Sequence, residues 1–252
     1  MRIKKSGHQG TPIIRPTTIL GQLDVNPHSL LVFAPYDLKL ASSAVPVAPE
    51  LVRTLHVSSL YNIHLNNRRI TLAGPAIGAP LACMVIEFLI AFGSRHLVVL
   101  GSCGSLSAKV RVGQFVIPEK AFSEEGTSPH YPLKGTRVRP SSRMVELLAS
   151  RCETLNQQWT TGSVWTTDAP FRETPQKIRK YQMKKAVAVE MELSAVFKVC
   201  RFYGIEVGAM LVVSDELFSS RWTSGYRTPL YRDAFITAAR IAFDVLSTLN
   251  EE

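Results

Sequence analysis

Strand-like runs recur along this chain, at residues 30–33, 70–73, 97–100, 115–117, 163–166, 187–189 and 209–213, and several of them are short, continuous and apolar rather than alternating. A strand with one wet face alternates apolar and polar side chains, whereas a continuous run requires cover on both faces. Segments with helical spacing lie between the runs. Over residues 80–92, Leu81, Met84, Val85, Phe88, Leu89 and Phe92 form one stripe, Pro80 suits the first turn and Gly93 suits the stop. Ala82, Cys83, Ile86 and Ile90 make the rest of that helix apolar too, so it is expected to be covered on most sides. Further helices are expected over residues 142–155, 192–203 and 231–249, the second stopping at Gly204. Strand 70–73, helix 80–92 and strand 97–100 read as one βαβ unit, and segments 187–189, 192–203 and 209–213 as another. The fold class expected is α/β: a single three-layer α/β/α domain over residues 29–252 with a mixed, largely parallel central sheet, preceded by an N-terminal arm, residues 1–28. Residues 126–139 read as a long surface loop.

A length of 252 residues suits one domain, and a composition of 46% hydrophobic and 19% charged residues excludes a disordered chain. Cys83, Cys103, Cys152 and Cys200 form no CxxC pair, which argues against a zinc ribbon or a thioredoxin-type motif, and no metal site is expected. Reduced thiols fit a cytoplasmic protein. Residues 1–16 are basic and polar, with no apolar core of a secretory signal. Helix 80–92 would span about 20 Å, short of the ~30 Å hydrocarbon layer, so a membrane span is not expected. The formal charge of +9 is spread along the chain, as on solvated faces. It favours small anionic ligands over nucleic acid, which usually comes with concentrated basic patches and a fold signature.

In open α/β sheets ligands bind beyond the carboxyl ends of the strands. Three such ends carry chemistry. After residues 97–100 comes Gly101-Ser102-Cys103-Gly104-Ser105, where two glycines and two hydroxyls can form an anion nest, or merely a tight turn. After residues 187–189 comes Glu190-Met191-Glu192, whose carboxylates can grip paired sugar hydroxyls, or simply favour a helix N-terminus. After residues 209–213 comes Ser214-Asp215-Glu216, an acid at the mouth of the sheet, or a cap. For Asp215 to act as a general acid near neutral pH, burial would have to raise its pKa above about 3.9.

This order of motifs resembles the nucleoside phosphorylase superfamily, which includes purine nucleoside phosphorylases, uridine phosphorylases and methylthioadenosine/adenosylhomocysteine nucleosidases. The likeness runs over about residues 30–249. It is most specific at residues 99–106 (VLGSCGSL), 187–193 (VAVEMEL) and 212–216 (VVSDE), with support from 113–117 and 124–128. It implies an enzyme that breaks the N-glycosidic bond of a nucleoside through an oxocarbenium-like state, with phosphate or water attacking the anomeric carbon. Glu192 would hold ribose hydroxyls, Met191 would pack on the sugar and Glu190 would shape that junction. Gly101 and Ser102 would contact the nucleophile or the sugar. Asp215 matches the acid with which purine-cleaving members protonate the leaving base. Phe171 and Arg172 fall in the base-recognition segment. Pro170 stands where uridine phosphorylases carry a Gln, so uracil recognition is unsupported.

The chain also departs from that pattern. Phosphorolytic members carry Gly-Asp-Pro-x-Arg after the first strand, where this chain has Ala34-Pro35-Tyr36-Asp37-Leu38-Lys39. Lys39 replaces the Arg at best. A second family Arg is Val99 here, and the position of a third, supplied by a neighbouring subunit, falls near His56, with Arg53 close by. Arg grips phosphate bidentately and Lys does not. Hydrolytic members place a water-activating Glu in the first loop, where Asp37 offers a carboxylate, although a loop Asp is also a common turn residue. His8 or His56 would complete a neighbour's ribose site in a homodimer or a hexamer of dimers. The function expected is phosphorolysis of a nucleoside, purine favoured, to free base and ribose 1-phosphate. It needs no cofactor beyond phosphate as co-substrate. A hydrolytic nucleosidase and a non-catalytic nucleoside-binding protein are the alternatives.

Overall fold

The computed structural model describes residues 12–65, 67–133, 138–219 and 221–250. In chain order, a short helix α1 (Pro16–Leu20) precedes β1 (His28–Val32), α2 (Pro35–Ser43), β2 (Glu50–Leu55), β3 (Ser58–Leu65), β4 (Arg68–Gly74), α3 (Ala79–Ala91) and β5 (His96–Ser105). Then follow β6 (Phe115–Glu124), α4 (Ser142–Thr154), β7 (Trp159–Thr167), α5 (Pro175–Met183) and β8 (Ala186–Glu190). The described chain closes with α6 (Leu193–Tyr203), β9 (Glu206–Glu216), β10 (Thr223–Ser224) and α7 (Pro229–Thr248).

The continuous apolar runs are covered on both faces, and the two-residue period of a strand sorts them. Leu31, Leu97, Val99, Ala209 and Leu211 face a core cluster with α3 and α6. Their neighbours Leu30, Val32, Val98, Leu100, Met210 and Val212 face a second cluster with α2, α4 and α7. The result is three layers around a mixed sheet, as expected from the sequence. Strand order is β10-β9-β6-β7-β8-β5-β1-β4-β3-β2, and β9 also pairs with β5. That extra pairing closes β5, β9, β6, β7 and β8 into a ring, from which β1, β4, β3 and β2 extend as an open sheet.

The first expected βαβ unit is present: α3 carries the chain from β4 across β1 to β5, and all three strands are parallel. The second is not a parallel unit. β8 runs antiparallel to β5, whereas β9 runs parallel to it. Residues 34–39, which the resemblance aligns with the family's first loop, are largely α2, opened by Pro35 and held by Leu38, Leu40 and Ala41 packed under α7. Helix α3 is a core helix with Gly78 at its N-cap, and α6 ends on a left-handed Gly204. Among the described residues no helix is long and apolar enough to cross a membrane.

Candidate active site

The ends of β5, β8 and β9 meet at a cavity of about 590 Å³, within the usual range for a small-ligand site. Its lining includes Ser102, Glu190, Met191, Glu192, Phe171 and Asp215, together with Phe33, Cys103, Glu173 and Trp222. Six candidates from distant parts of the sequence are thus brought together.

The expected glycine turn after residue 100 is instead strand. Residues 101–105 continue β5, paired with β9 throughout and with β8 at Gly104 and Ser105. The glycines serve close approach here. A Cβ on Gly101 would lie 2.6 Å from the Phe33 ring, and one on Gly104 would lie 2.4 Å from Leu217 Cδ1. Gly101 itself is buried and lies outside the lining, while Ser102 is half-buried and faces the cavity. A register shift between Cys103 and Gly104 brings Asp215 opposite Gly104.

At the β8–α6 junction the two glutamates differ. Glu190 Oε1 accepts the Thr166 hydroxyl, and Oε2 accepts the backbone N–H groups of Glu192 and Leu193, each at 2.7 Å. It therefore caps α6. Glu192 accepts the Gly78 N–H at 2.6 Å, which tethers the loop ahead of α3, and the backbone N–H of Met191 also lowers its pKa. Burial, and for Glu192 the neighbouring Glu190 charge, hold both acids above the ordinary carboxylate range. Thr166 Oγ1 also accepts the Ser194 N–H, and Ser194 donates its hydroxyl to Glu125 at 2.8 Å. Burial pushes Glu125 up, but hydrogen bonds from Ser128, Ser123 and Ser194 outweigh it and hold the acid below its ordinary range.

At the end of β9, Asp215 accepts the Ser214 hydroxyl at 2.7 Å and the Trp222 indole N–H at 2.9 Å. Glu216, by contrast, pairs with Arg111 at 2.7 Å and lies outside the lining. Sequence reasoning missed Glu173. Burial first, then the Asp215 charge, push it up to about 7, against the pull of Lys177. Its sequence signal was slight: a Glu one residue before Thr174, the N-cap of α5, whose hydroxyl accepts the Lys177 N–H. Phe171 stands almost fully exposed at the rim, on a 3₁₀ turn (Pro170–Arg172). Trp222, also missed, is exposed and lines the cavity with Phe171.

Other candidates are not brought to the lining. Arg172 and Lys39 are exposed and outside the lining, Lys39 on α2. Asp37 is fully buried in the first turn of α2, where Tyr231 donates to it at 2.9 Å. His56 is exposed at the β2–β3 turn with a φ of 51°. His8 lies outside the described residues. Among the described lining residues, Glu173, Glu190, Glu192 and Asp215 face no Lys or Arg. No group of His, Cys, Asp and Glu among the described residues could hold a metal ion.

Comparison with known proteins adds three observations. Residues 28–248 match the family model of the phosphorylase superfamily. A guanosine phosphorylase of Halorubrum lacusprofundi is 27% identical over 168 residues, 67% of this chain and 70% of that protein. A DeoD-type purine nucleoside phosphorylase of Caldanaerobacter subterraneus subsp. tengcongensis is 22% identical over 72% of this chain and 78% of its own length. In fold, the chain superimposes on purine nucleoside phosphorylase from Toxoplasma gondii, solved with immucillin-H. The TM-score is 0.80 at 18% identity, covering 90% of this chain and 94% of that one. Uridine phosphorylase from Vibrio fischeri gives a TM-score of 0.77 at 22% identity, covering 89% and 92%.

Proposed function

The chain belongs to the phosphorylase superfamily, and from that premise we propose that it cleaves the N-glycosidic bond of a nucleoside, purine favoured, by phosphorolysis. The observation that carries this reading is the convergence of Ser102, Met191, Glu192 and Asp215 on one cavity. Glu192 has acceptor capacity left for ribose hydroxyls, and Met191 lies beside it to pack on the sugar. Glu190 cannot share that task fully, because Oε1 is engaged by the Thr166 hydroxyl and Oε2 by the backbone N–H groups at the start of α6; its role is to hold Glu192 in place. Phe171 and Trp222 offer aromatic faces for the base. Asp215, held by Ser214 and Trp222, is the acid we assign to the leaving base, as the resemblance of its motif implies, and Glu173 adds a second carboxyl to the same lining. General-acid assistance to a leaving base is worth about 10²–10⁴-fold. Carboxylates near the ribose also stabilise positive charge developing on the sugar.

One observation favours a second reading, hydrolysis by water. An anionic nucleophile is poorly served by a lining with four carboxyl groups and no Lys or Arg among the described residues. Free-base release from a panel of purine and pyrimidine nucleosides, with and without phosphate, separates the two. Release that requires phosphate supports phosphorolysis. Equal release without phosphate supports hydrolysis. Absence of release in both arms overturns the enzymatic reading and leaves a nucleoside-binding protein.

A further inference from the structure

Glu125 lies outside the cavity lining and takes no part in the proposed chemistry, yet it is buried and densely bonded. Its Oε1 accepts the hydroxyls of Ser123 at 2.7 Å and Ser194 at 2.8 Å. Its Oε2 accepts the backbone N–H groups of Thr127 at 2.6 Å and Ser128 at 2.8 Å. A carboxylate has about four lone-pair sites, so these donors fill it. One side chain thus clamps the end of β6 and the turn beyond it to Ser194, in the first turn of α6.

From Ser194 an unbroken run of hydrogen bonds leads to the cavity. The Ser194 N–H donates to Thr166 Oγ1 at 3.0 Å, and the Thr166 hydroxyl donates to Glu190 Oε1. Glu190 Oε2 in turn accepts the N–H groups of Glu192 and Leu193, each at 2.7 Å. Ser194 and Thr166 are fully buried, so water does not compete for them. Each hydroxyl has a single hydrogen, and each gives it to a carboxylate. Neither can turn without leaving a buried acceptor short, so the first turn of α6 is held in one arrangement. Glu192 is the N-cap of that helix and lines the cavity, so the aim of its carboxylate depends on where that turn is held. We propose that Glu125 is a positioning residue: through Ser194 it fixes the first turn of α6 and so sets how tightly Glu192 grips the paired hydroxyls of a ribose. This rests on the reading of Glu192 as the ribose acid. Despite burial, hydrogen bonds from Ser128, Ser123 and Ser194 hold Glu125 below the ordinary carboxylate range, so it keeps its charge and its acceptors near neutral pH.

The test compares inosine with 2′,3′-dideoxyinosine, which carries the same base and lacks both hydroxyls. Kd for each is read from quenching of tryptophan fluorescence on rapid mixing without phosphate, since Trp222 lines the cavity. The ratio of the two Kd values isolates the grip on the hydroxyls. Wild type is expected to bind inosine more tightly by about tenfold or more. Ser194→Ala removes the link to α6 and leaves the other three bonds of Glu125 in place. It is expected to lower the ratio by about threefold or more. A merely structural role would lower the urea midpoint, or weaken both nucleosides together, and leave the ratio unchanged. If Ser194→Ala does not fold, the same ratio is read in Glu125→Gln, which keeps the shape of the side chain and removes its charge. A smaller fall in the folded variant overturns the proposal. So does failure of both variants to fold, because the network would then hold the fold rather than the site. A wild type that binds the two nucleosides equally, or binds neither, faults the ribose reading of Glu192 itself, and the proposal falls with it. A high wild-type ratio that the variant retains faults the positioning role alone.

Discussion

Gly104→Ala tests whether the glycines of β5 are there for close approach. The added Cβ would lie 2.4 Å from Leu217 Cδ1 and 3.2 Å from both Asp215 Oδ2 and Val189 Cγ1. Carbon atoms in good contact sit about 3.5–4.0 Å apart, so Leu217 must retreat by roughly 1–1.5 Å. It has two ways to go. Backwards, it meets a packed cluster of Leu106, Trp165, Ile178, Tyr181 and Val189, and overpacking of that kind costs about 1–3 kcal/mol. Forwards, it enters the cavity it already lines, beside Asp215. The first route lowers the urea midpoint. The second leaves stability near wild type, raises KM and displaces an acid for which a shift of ~1 Å can cost 10²-fold in rate. Urea unfolding and steady-state base release, measured on the same preparation, distinguish them. Stability within about 0.5 kcal/mol of wild type together with kcat/KM within about twofold would refute the reasoning, because then neither route was taken.

Two further outcomes follow from the buried acids. Asp37 and Glu173 are pushed up to about 6 and about 7, and Glu190 and Glu192 are also raised, so the folded chain keeps protons that the unfolded chain releases near its ordinary carboxylate range. The native state then binds more protons, and stability is expected to fall as pH rises from about 5 to 8, with Glu192→Gln flattening the profile of urea midpoint against pH. Thr166→Val removes the hydroxyl that donates to Glu190 and accepts from Ser194. It should cost about 1–3 kcal/mol in urea unfolding and lower base release, whereas Thr166→Ser should retain most of both.

The parts of the fold that were legible are those where local pattern and burial agree. Residues 97–100 and 209–213 read as strands because every side chain there meets one of the two helical layers. The extension of β5 through Gly101–Ser105 did not show, because Gly and Ser have little strand preference. What keeps them extended is pairing with residues 211–216 and 188–189, a long-range cause. Helix α2 is nine residues long and begins at a proline that reads equally well as a loop, and its identity comes from packing under α7. In the site, Glu190, Met191, Glu192 and Asp215 were legible as acids and a methionine at strand ends. Their division of labour was not, since it depends on which oxygens the α6 backbone occupies. Asp37 was legible as a carboxylate near the nucleophile, but its burial under Tyr231, a residue 194 positions away, was beyond any local signal.

The closed ring of β5, β9, β6, β7 and β8 separates access from chemistry. A strand in an open sheet can peel from its edge to admit a molecule, but each strand of this ring has a neighbour on either side, so a local parting at one seam has to be taken up by the others. The route inward therefore belongs to pieces that the ladder does not own: the turn that carries Phe171 and the crossing segment that carries Trp222. Variation there can change which molecules reach the cavity, and how fast, while Glu190 and Asp215 stay anchored to the hoop. A scaffold of this kind can be retuned for new substrates at its doorway without being rebuilt at its hearth.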